Sequence, residues 1–276
     1  MKNVAVVSGA SSGIGKATAL YLIDKGYIVF GVSRRLNEMS DLIEAGGKAL
    51  AMDVTDSEQI RDALQKIMLE EERIDVLVNC AGFAVYGAIE DVSIEAAKRQ
   101  FEVNLFGLAQ LTKMILPIMR KQKSGTIVNV SSVGGKIHSP LGAWYHASKH
   151  ALEGWSDCLR VEVKQFGIKV VIVEPGTIKT EFGDVRNRNF SCPDDSPYLT
   201  LAAAMKEIIS EGYKPGNFSE PEEVATVIFK SINAINPKTR YTVGKKSASV
   251  ILYRKICSDR FIDKTILNLV RKLSGK

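Results

Sequence analysis

The 276-residue sequence predicts a doubly wound α/β fold: one parallel sheet of seven strands with helices on both faces. Three observations predict it. Short Val- and Ile-rich runs alternate along the chain with longer amphipathic stretches. Those runs lack the polar alternation of a half-exposed strand, so both faces must be covered, as in a parallel sheet. The first run passes directly into a glycine-rich turn, SGASSGIG, which opens a helical stretch.

The expected strands, in order, are NVAVVS, YIVFGVS, KALAMDV, DVLVNCAG, GTIVNVSS, IKVVIVEPG and TRYTVG, bounded by Gly, Asn or Asp. KATALYLIDKG, SEQIRDALQKIMLEEER, EAAKRQFEVNLFGLAQLTKMILPIMRK and HALEGWSDCLRVEVKQFG carry helical spacing between them. Right-handed crossovers turn that order into a Rossmann-type sheet. No repeat, low-complexity segment or linker interrupts it, so residues 1–276 are expected to form a single domain. The rhythm breaks only at 182–219, a long insertion with turn residues at both ends and a helical centre. Its place after a strand end predicts a substrate lid.

Composition excludes several classes. Charged residues make up 25% and hydrophobic residues 45%, a globular balance. No apolar run approaches the ~18–20 residues of a membrane span. NVAVV is too short for the apolar core of a signal peptide, and a cytoplasmic protein is expected. Cys80, Cys158, Cys192 and Cys257 are scattered and form no CxxC, which predicts reduced thiols. His146 and His150 share helical spacing but lack acidic or sulfur partners nearby, so no metal site is expected.

The net charge of +6 is uneven. Residues 245–276 hold nine basic and two acidic residues, a net +7, which leaves residues 1–244 at −1. A near-neutral body gives no reason to expect nucleic-acid binding. The basic C-terminal tail, with SVILYRKICSDRFIDKTILNLVRKL at helical spacing, has three open roles. It packs on the lid, pairs with another subunit, or lies on an anionic membrane surface.

In the turn, Gly9, Gly13 and Gly15 let the backbone approach a pyrophosphate at the amino end of the first helix. SGASSGIG resembles the TGxxxGIG turn of the short-chain dehydrogenase/reductases, with Ser8 in place of Thr. Further matches follow in the family's order. VNCAG resembles NNAG with Cys80 for the second Asn, Asn104 falls in the expected helix, Ser132 precedes YHASK by thirteen residues, and EPGTIKT resembles the PG turn. The likeness runs to about residue 244. It implies cofactor contacts from Ser11, Ser12 and Ile14 in the turn, from Asp53 and Val54 at adenine, and from Asn79, Ala81 and Gly82 beside adenosine. Pro175, Gly176, Ile178 and Thr180 complete that set.

The second strand ends in Ser33, Arg34 and Arg35 without the carboxylate that holds the ribose hydroxyl of NAD. Arginines there suit a 2′-phosphate, which predicts NADP(H) in preference to NAD(H). Tyr145 and Lys149 are four apart in YHASK and share a helix face. An ammonium beside a phenol lowers its pKa from about 10, which predicts that Tyr145 is the general acid/base. The resemblance assigns Ser132 to the substrate oxygen, Lys149 also to the nicotinamide ribose, and Asn104 to a water between Lys149 and solvent.

Segments at the carboxyl ends of the strands offer Phe83, Val85, Tyr86, Ile137, Leu141, Trp144 and Phe182 to a substrate. That apolar set predicts a lipophilic secondary alcohol or ketone. So does similarity to hydroxysteroid and retinol dehydrogenase-like members and to reductases of acylated dihydroxyacetone phosphate. A small polar ketone or a 3-oxoacyl thioester remains an alternative substrate. A non-catalytic NADPH sensor is the alternative function, although it has no need of Ser132, Tyr145 and Lys149 together. The resemblance also implies a homo-oligomer, a dimer or tetramer.

Overall fold

The computed structural model describes residues 2–273. Its strands are β1 (Val4–Ser8), β2 (Ile28–Ser33), β3 (Lys48–Ala51), β4 (Val76–Asn79), β5 (Tyr86–Gly87), β6 (Gly125–Val130), β7 (Ile168–Pro175), β8 (Phe190–Ser191) and β9 (Arg240–Val243). Seven of them form one sheet in the order β3-β2-β1-β4-β6-β7-β9. Every pairing in it is parallel. The chain leaves β1 toward one edge and returns at β4 toward the other, so a crevice opens at the carboxyl ends of these two strands.

The helices are α1 (Gly13–Asp24), α2 (Ser40–Glu44), α3 (Ser57–Glu71), α4 (Ile94–Phe101), α5 (Leu108–Gln122) and α6 (Ala143–Val163). They continue with α7 (Phe182–Arg188), α8 (Leu199–Gly212), α9 (Pro221–Asn233), α10 (Ser247–Ile256) and α11 (Asp259–Leu273). Alternation within β1 explains the two layers: Val4 and Val6 face one core, Ala5 and Val7 the other. The first core takes Ile60 and Ile67 of α3, Leu111 and Ile115 of α5, and Leu159 of α6. The second takes Leu22 of α1 with Val224 and Ile228 of α9.

The expected long helix from Glu95 to Lys121 is interrupted. Between α4 and α5 the chain makes a π-turn over Glu102–Gly107. At its end, a Cβ on Gly107 would lie 2.6 Å from the Val54 carbonyl oxygen, so only glycine lets this turn approach the loop after β3. Asn104 sits within the π-turn. Such turns recur at functional sites because they re-aim a side chain without ending the helix.

The 182–219 segment folds as α7, β8 and α8 over the carboxyl ends of the sheet. The short parallel pair β5–β8 aligns Tyr86 with Phe190 and Gly87 with Ser191. Asp91 fastens the segment further, its backbone oxygen accepting from Ser191 Oγ and its carboxylate from Ser196 Oγ, both at 2.7 Å. Ala202 and Met205 of α8 then bury against Ala88 and Leu141.

Of the three roles open for the tail, the structure shows packing on the 182–219 segment. Val270 of α11 joins the α8 cluster, and His138 lies 3.1 Å from Asp263. Residues 274–276 of the tail lie outside the described residues. Among those described, no helix is long and apolar enough to cross a membrane.

Candidate active site

The glycine turn is built by close backbone contact. Gly9 adopts φ +70°, and a Cβ on it would lie 3.0 Å from Ala81 N and Cα. A Cβ on Gly15 would lie 2.3 Å from the Gly9 carbonyl oxygen, which no side chain survives. Ser8 Oγ accepts from Cys80 N at 3.0 Å and Ala81 N at 3.2 Å, tying the end of β1 to the loop after β4. Gly13, at φ +53°, faces Thr180. This cradle at the amino end of α1 fits a dinucleotide pyrophosphate.

At the end of β2, Arg35 folds back over the turn. Its Nη2 donates to Ser11 Oγ at 3.1 Å and Ser12 Oγ at 2.9 Å, and its Nη1 lies 3.3 Å from Glu181 Oε2. Arg34 is largely exposed and 4.0 Å from Asp53 Oδ2. Burial pushes the Asp53 carboxyl up, but hydrogen bonds from Thr55 and the charges of Arg99 and Arg34 hold it below the usual range. Arg99 makes the closer pair with Asp53, at 3.2 Å.

Tyr145 lies buried on α6, one helical turn from Lys149. Ser132, at the end of β6, flanks Gly134 together with the Tyr145 ring; its Oγ accepts from Gly134 N at 3.0 Å and donates to Pro175 O at 3.4 Å. His146 steadies the same loop, Nδ1 at 2.9 Å from Gly134 O and Nε2 at 3.0 Å from Ser139 Oγ. Burial lowers the His146 pKa, which favours the neutral ring.

Lys149 is buried too, and its Nζ donates to the Val130 carbonyl oxygen at 2.9 Å. Burial lowers its pKa to about 8 against the opposing influence of Cys80 and Glu153. Burial likewise raises the Tyr145 phenol to about 12; the nearby Ser132 hydroxyl opposes this, Tyr213 adds to it, and the Arg186 charge opposes it. The expectation that Lys149 makes the phenol acidic is therefore corrected. Helical spacing puts the two on one face, but the ammonium is engaged by Val130 and is not among the groups that move the phenol, where burial dominates.

Asn104 is occupied. Its Oδ1 accepts from Phe83 N at 3.0 Å, and its Nδ2 donates to Phe83 O at 2.9 Å and Ser148 Oγ at 3.1 Å. It braces the loop after β4 against α6. A Cβ on Gly82 would lie 3.2 Å from its Oδ1 and 3.9 Å from Lys149 Nζ, so this loop runs directly over both side chains.

A family model described as short chain dehydrogenase matches residues 3–189. The chain belongs to the short-chain dehydrogenase family. It is 37% identical over 241 residues to 3-ketodihydrosphingosine reductase of Bacteroides thetaiotaomicron, covering 87% of each chain. It is 33% identical to NADPH-dependent 3-dehydrocapnine reductase of Ornithobacterium rhinotracheale, covering 98% of each. Among solved structures, a short-chain dehydrogenase from Streptomyces avermitilis superimposes with a TM-score of 0.79 at 32% identity, covering 98% of this chain and 96% of that one.

Within this short-chain dehydrogenase the candidate residues fall into two sets. Gly9, Ser11, Ser12, Gly13, Gly15, Ala81, Gly82, Ser132, Tyr145, Lys149 and Thr180 meet at the carboxyl ends of β1, β4 and β6. The Asn79 side chain is engaged inside the sheet, where its Nδ2 donates to Thr112 Oγ1 and Asn129 Oδ1. Val54 and Ile178 are core residues, while Ile14 packs on the core from the side. Gly176 is crowded by α10, since a Cβ there would meet Ser247 Oγ at 2.0 Å.

Among the pocket candidates, Phe182 packs on the Tyr145 ring at 5.8 Å, and Tyr86 does so at 5.9 Å. Leu141 lies under α8, and Val85 is buried with its N–H given to Gln100. Ile137 is half-buried in the loop after β6, where its N–H bonds Val133 O. Trp144 is placed elsewhere, in an outer groove with Ile94, Ala97, Phe101 and Phe106. Its neighbour Tyr145 points away from that groove because consecutive helix residues differ by about 100°.

Residues that the sequence did not single out also reach the site. Arg186 and Tyr213 come from the 182–219 segment, Glu181 pairs with Arg35, and Glu153 sits one turn below Lys149, bound by Lys136 and Arg240 at 2.6 Å and 2.9 Å. The i,i+4 spacing of Lys149 and Glu153 was the available signal for the last of these.

Proposed function

We propose that this protein is an NADP(H)-dependent oxidoreductase that reduces a lipophilic ketone to a secondary alcohol, with Tyr145 as the proton donor. The observation that carries this reading is the buried phenol of Tyr145, which shares the Gly134 corner with Ser132 and lies one helical turn from the buried Lys149. A phenol raised by burial to about 12 is protonated throughout the neutral range, so the form present is the one able to donate to a carbonyl oxygen. Ser132 would orient the substrate oxygen against it. Lys149, one turn away, would bind the nicotinamide ribose. When bound, the nicotinamide supplies the hydride.

The lipophilic part rests on the walls: Ala84, Tyr86, Phe182, Phe190 and Ile209 surround Tyr145. The names of the two relatives, a 3-ketodihydrosphingosine reductase and a 3-dehydrocapnine reductase, favour a ketone reductase as well. The preference for NADP(H) rests on Arg35, held over Ser11 and Ser12, and on the absence of a carboxylate at the end of β2. The second relative is named as NADPH-dependent. The test is cofactor oxidation by the purified protein with NADPH and with NADH, across long-chain ketones, steroids, retinoids, short polar ketones and 3-oxoacyl thioesters. Turnover of only the short or thioester compounds would replace the substrate assignment. No turnover with any, despite tight NADPH binding, would favour a sensor.

A further inference from the structure

Among the described residues, Arg186 of α7 is a buried cation with no carboxylate at salt-bridge distance. It is 9% exposed, and among the described residues its partners are Asn187 Oδ1 at 3.3 Å and the rings of Tyr86 and Tyr213, whose centroids lie 5.9 Å and 5.4 Å from its Cζ. The other strongly engaged arginine of the interior, Arg240, is surrounded by Glu153, Asp157 and Glu174. An unpaired charge taken out of water is costly, and an aromatic sandwich with one neighbouring amide recovers only part of that cost. Guanidinium keeps its charge under all ordinary conditions. The protein thus carries a standing positive charge beneath its lid.

Its position relates that charge to the reaction. Tyr86 stands between Arg186 and Tyr145: the guanidinium lies on the ring of Tyr86, and the ring of Tyr86 packs on that of Tyr145. The charge reaches the Tyr145 phenol electrostatically. Burial raises the pKa of the Tyr86 phenol, which keeps it a neutral donor. Tyr213, at the end of α8, closes the other side. The dinucleotide cradle has its own cation in Arg35 and its own helix terminus, so the Arg186 charge is not needed there.

We propose that Arg186, flanked by Tyr86 and Tyr213, is an anion subsite of the substrate pocket, and that the lipophilic ketone carries a fixed anion (sulfonate, phosphate or carboxylate) close to its carbonyl. The proposal deepens the reductase reading and rests on it. Planar N–H donors suit tetrahedral and carboxylate oxyanions alike, which is why the class is defined by its charge. The apolar walls around Tyr145 take the chain, and the guanidinium takes the head.

The experiment compares ketones of one chain length that differ only in the head: a neutral 2-alkanone against the 2-oxoalkyl sulfonate, the 2-oxoalkyl phosphate and the matching 3-oxo carboxylate. Each is assayed with NADPH on the wild type, Arg186→Gln and Arg186→Lys. At least one anionic ketone should exceed the neutral one by tenfold or more in kcat/KM for the wild type, and the best of the three identifies the head. Arg186→Gln should lose at least tenfold more on that compound than on the neutral one, where loss of the charge near Tyr145 acts alone, with Arg186→Lys between. NADPH affinity should be unchanged in both variants, which also shows that they are folded.

Equal losses on charged and neutral ketones, or a wild type that prefers the neutral one, would overturn the subsite. A loss of NADPH affinity would reassign Arg186 to the cofactor and also overturn it. If the wild type reduces none of the four, the reductase reading is what fails. Calorimetry of the non-reducible 2-hydroxyalkyl sulfonate, phosphate and 3-hydroxy carboxylate then decides the subsite independently. Binding of one of them that Arg186→Gln abolishes supports it, and no binding to the wild type overturns it.

Discussion

The Lys149 Nζ donates to the Val130 carbonyl oxygen at 2.9 Å, in a buried position at the end of β6. That contact fixes where the charge sits, and burial lowers its pKa from 10.5 to about 8. A lysine depressed in this way binds fewer protons in the folded state than in the unfolded one over that interval. Unfolding therefore takes up a proton at Lys149 between about pH 8 and pH 10.5, and its contribution to stability rises with pH there. The raised Cys80 thiol and the Tyr145 and Tyr86 phenols act oppositely above about pH 9. Below about pH 8 both states are protonated and the burial penalty is fully present. Urea unfolding of the cofactor-free protein should show this as a rising limb between about pH 8 and pH 9, below the thiol and phenol titrations, and Lys149→Met should remove it. A limb that survives the substitution belongs to another group.

Activity should have the opposite pH dependence. The Tyr145 phenol, near 12, stays protonated, so loss of the Lys149 charge governs the alkaline side. Ketone reduction is expected to decline as pH rises through about 8, where Lys149 loses its charge. Tyr145→Phe should lower kcat by roughly 10²- to 10⁴-fold, the range for a positioned general acid. NADPH affinity should remain within about threefold, since the ring and its packing on Tyr86 and Phe182 are retained. Fluorescence titration with NADPH beside steady-state kinetics separates the two quantities. Residual turnover near wild type would remove the phenol from the reaction.

Arg35 offers a separate test of cofactor choice. Its Nη2 holds two serine hydroxyls of the turn, and Glu181 competes for its Nη1. A charged hydrogen bond to a phosphate is worth about 1.5–3 kcal/mol, so Arg35→Ala should weaken NADPH by roughly 10- to 150-fold. NADH, which lacks that phosphate, should lose less than threefold. Glu181→Gln should modestly tighten NADPH by freeing the guanidinium. Dissociation constants for both cofactors with the three proteins decide this, and equal losses for NADPH and NADH would undo the assignment.

The sheet and its crevice were legible in the sequence because their signals are local. Val-rich runs give both-face burial, and Gly9, Gly13 and Gly15 report backbone approaches that only glycine permits. Tyr145, Ser132 and Lys149 were found by their order along the chain. The environment of Lys149 was not, because its pKa depends on the Val130 carbonyl and on desolvation, neither of which spacing encodes. Arg186 and Tyr213 were missed for a related reason: they meet Tyr86 only after the 182–219 segment folds over β5. The π-turn escaped because EVNLFG keeps helical apolar spacing, and its cause, Gly107 against Val54, is a tertiary contact.

Asn104 separates a bracing role from a proton-relay role. Its amide answers both the N–H and the C=O of Phe83 and reaches Ser148 Oγ, leaving its donor and acceptor engaged. Asn104→Ala would strand the Phe83 backbone groups at a partly buried position and cost about 2 kcal/mol. Thermal unfolding should shift down by several degrees in a chain of this size. Asn104→Asp should fare no better, because a carboxylate oxygen would face the Phe83 carbonyl oxygen where the Nδ2 donor now lies. Ser148→Ala should be milder, since the Phe83 pair survives and Ser148 Oγ otherwise donates to the Tyr145 carbonyl of its own helix. Because Phe83 follows Gly82, NADPH affinity should fall together with stability in Asn104→Ala. If that variant instead keeps its unfolding temperature and its NADPH affinity while kcat collapses, the residue acts on protons and not on the loop.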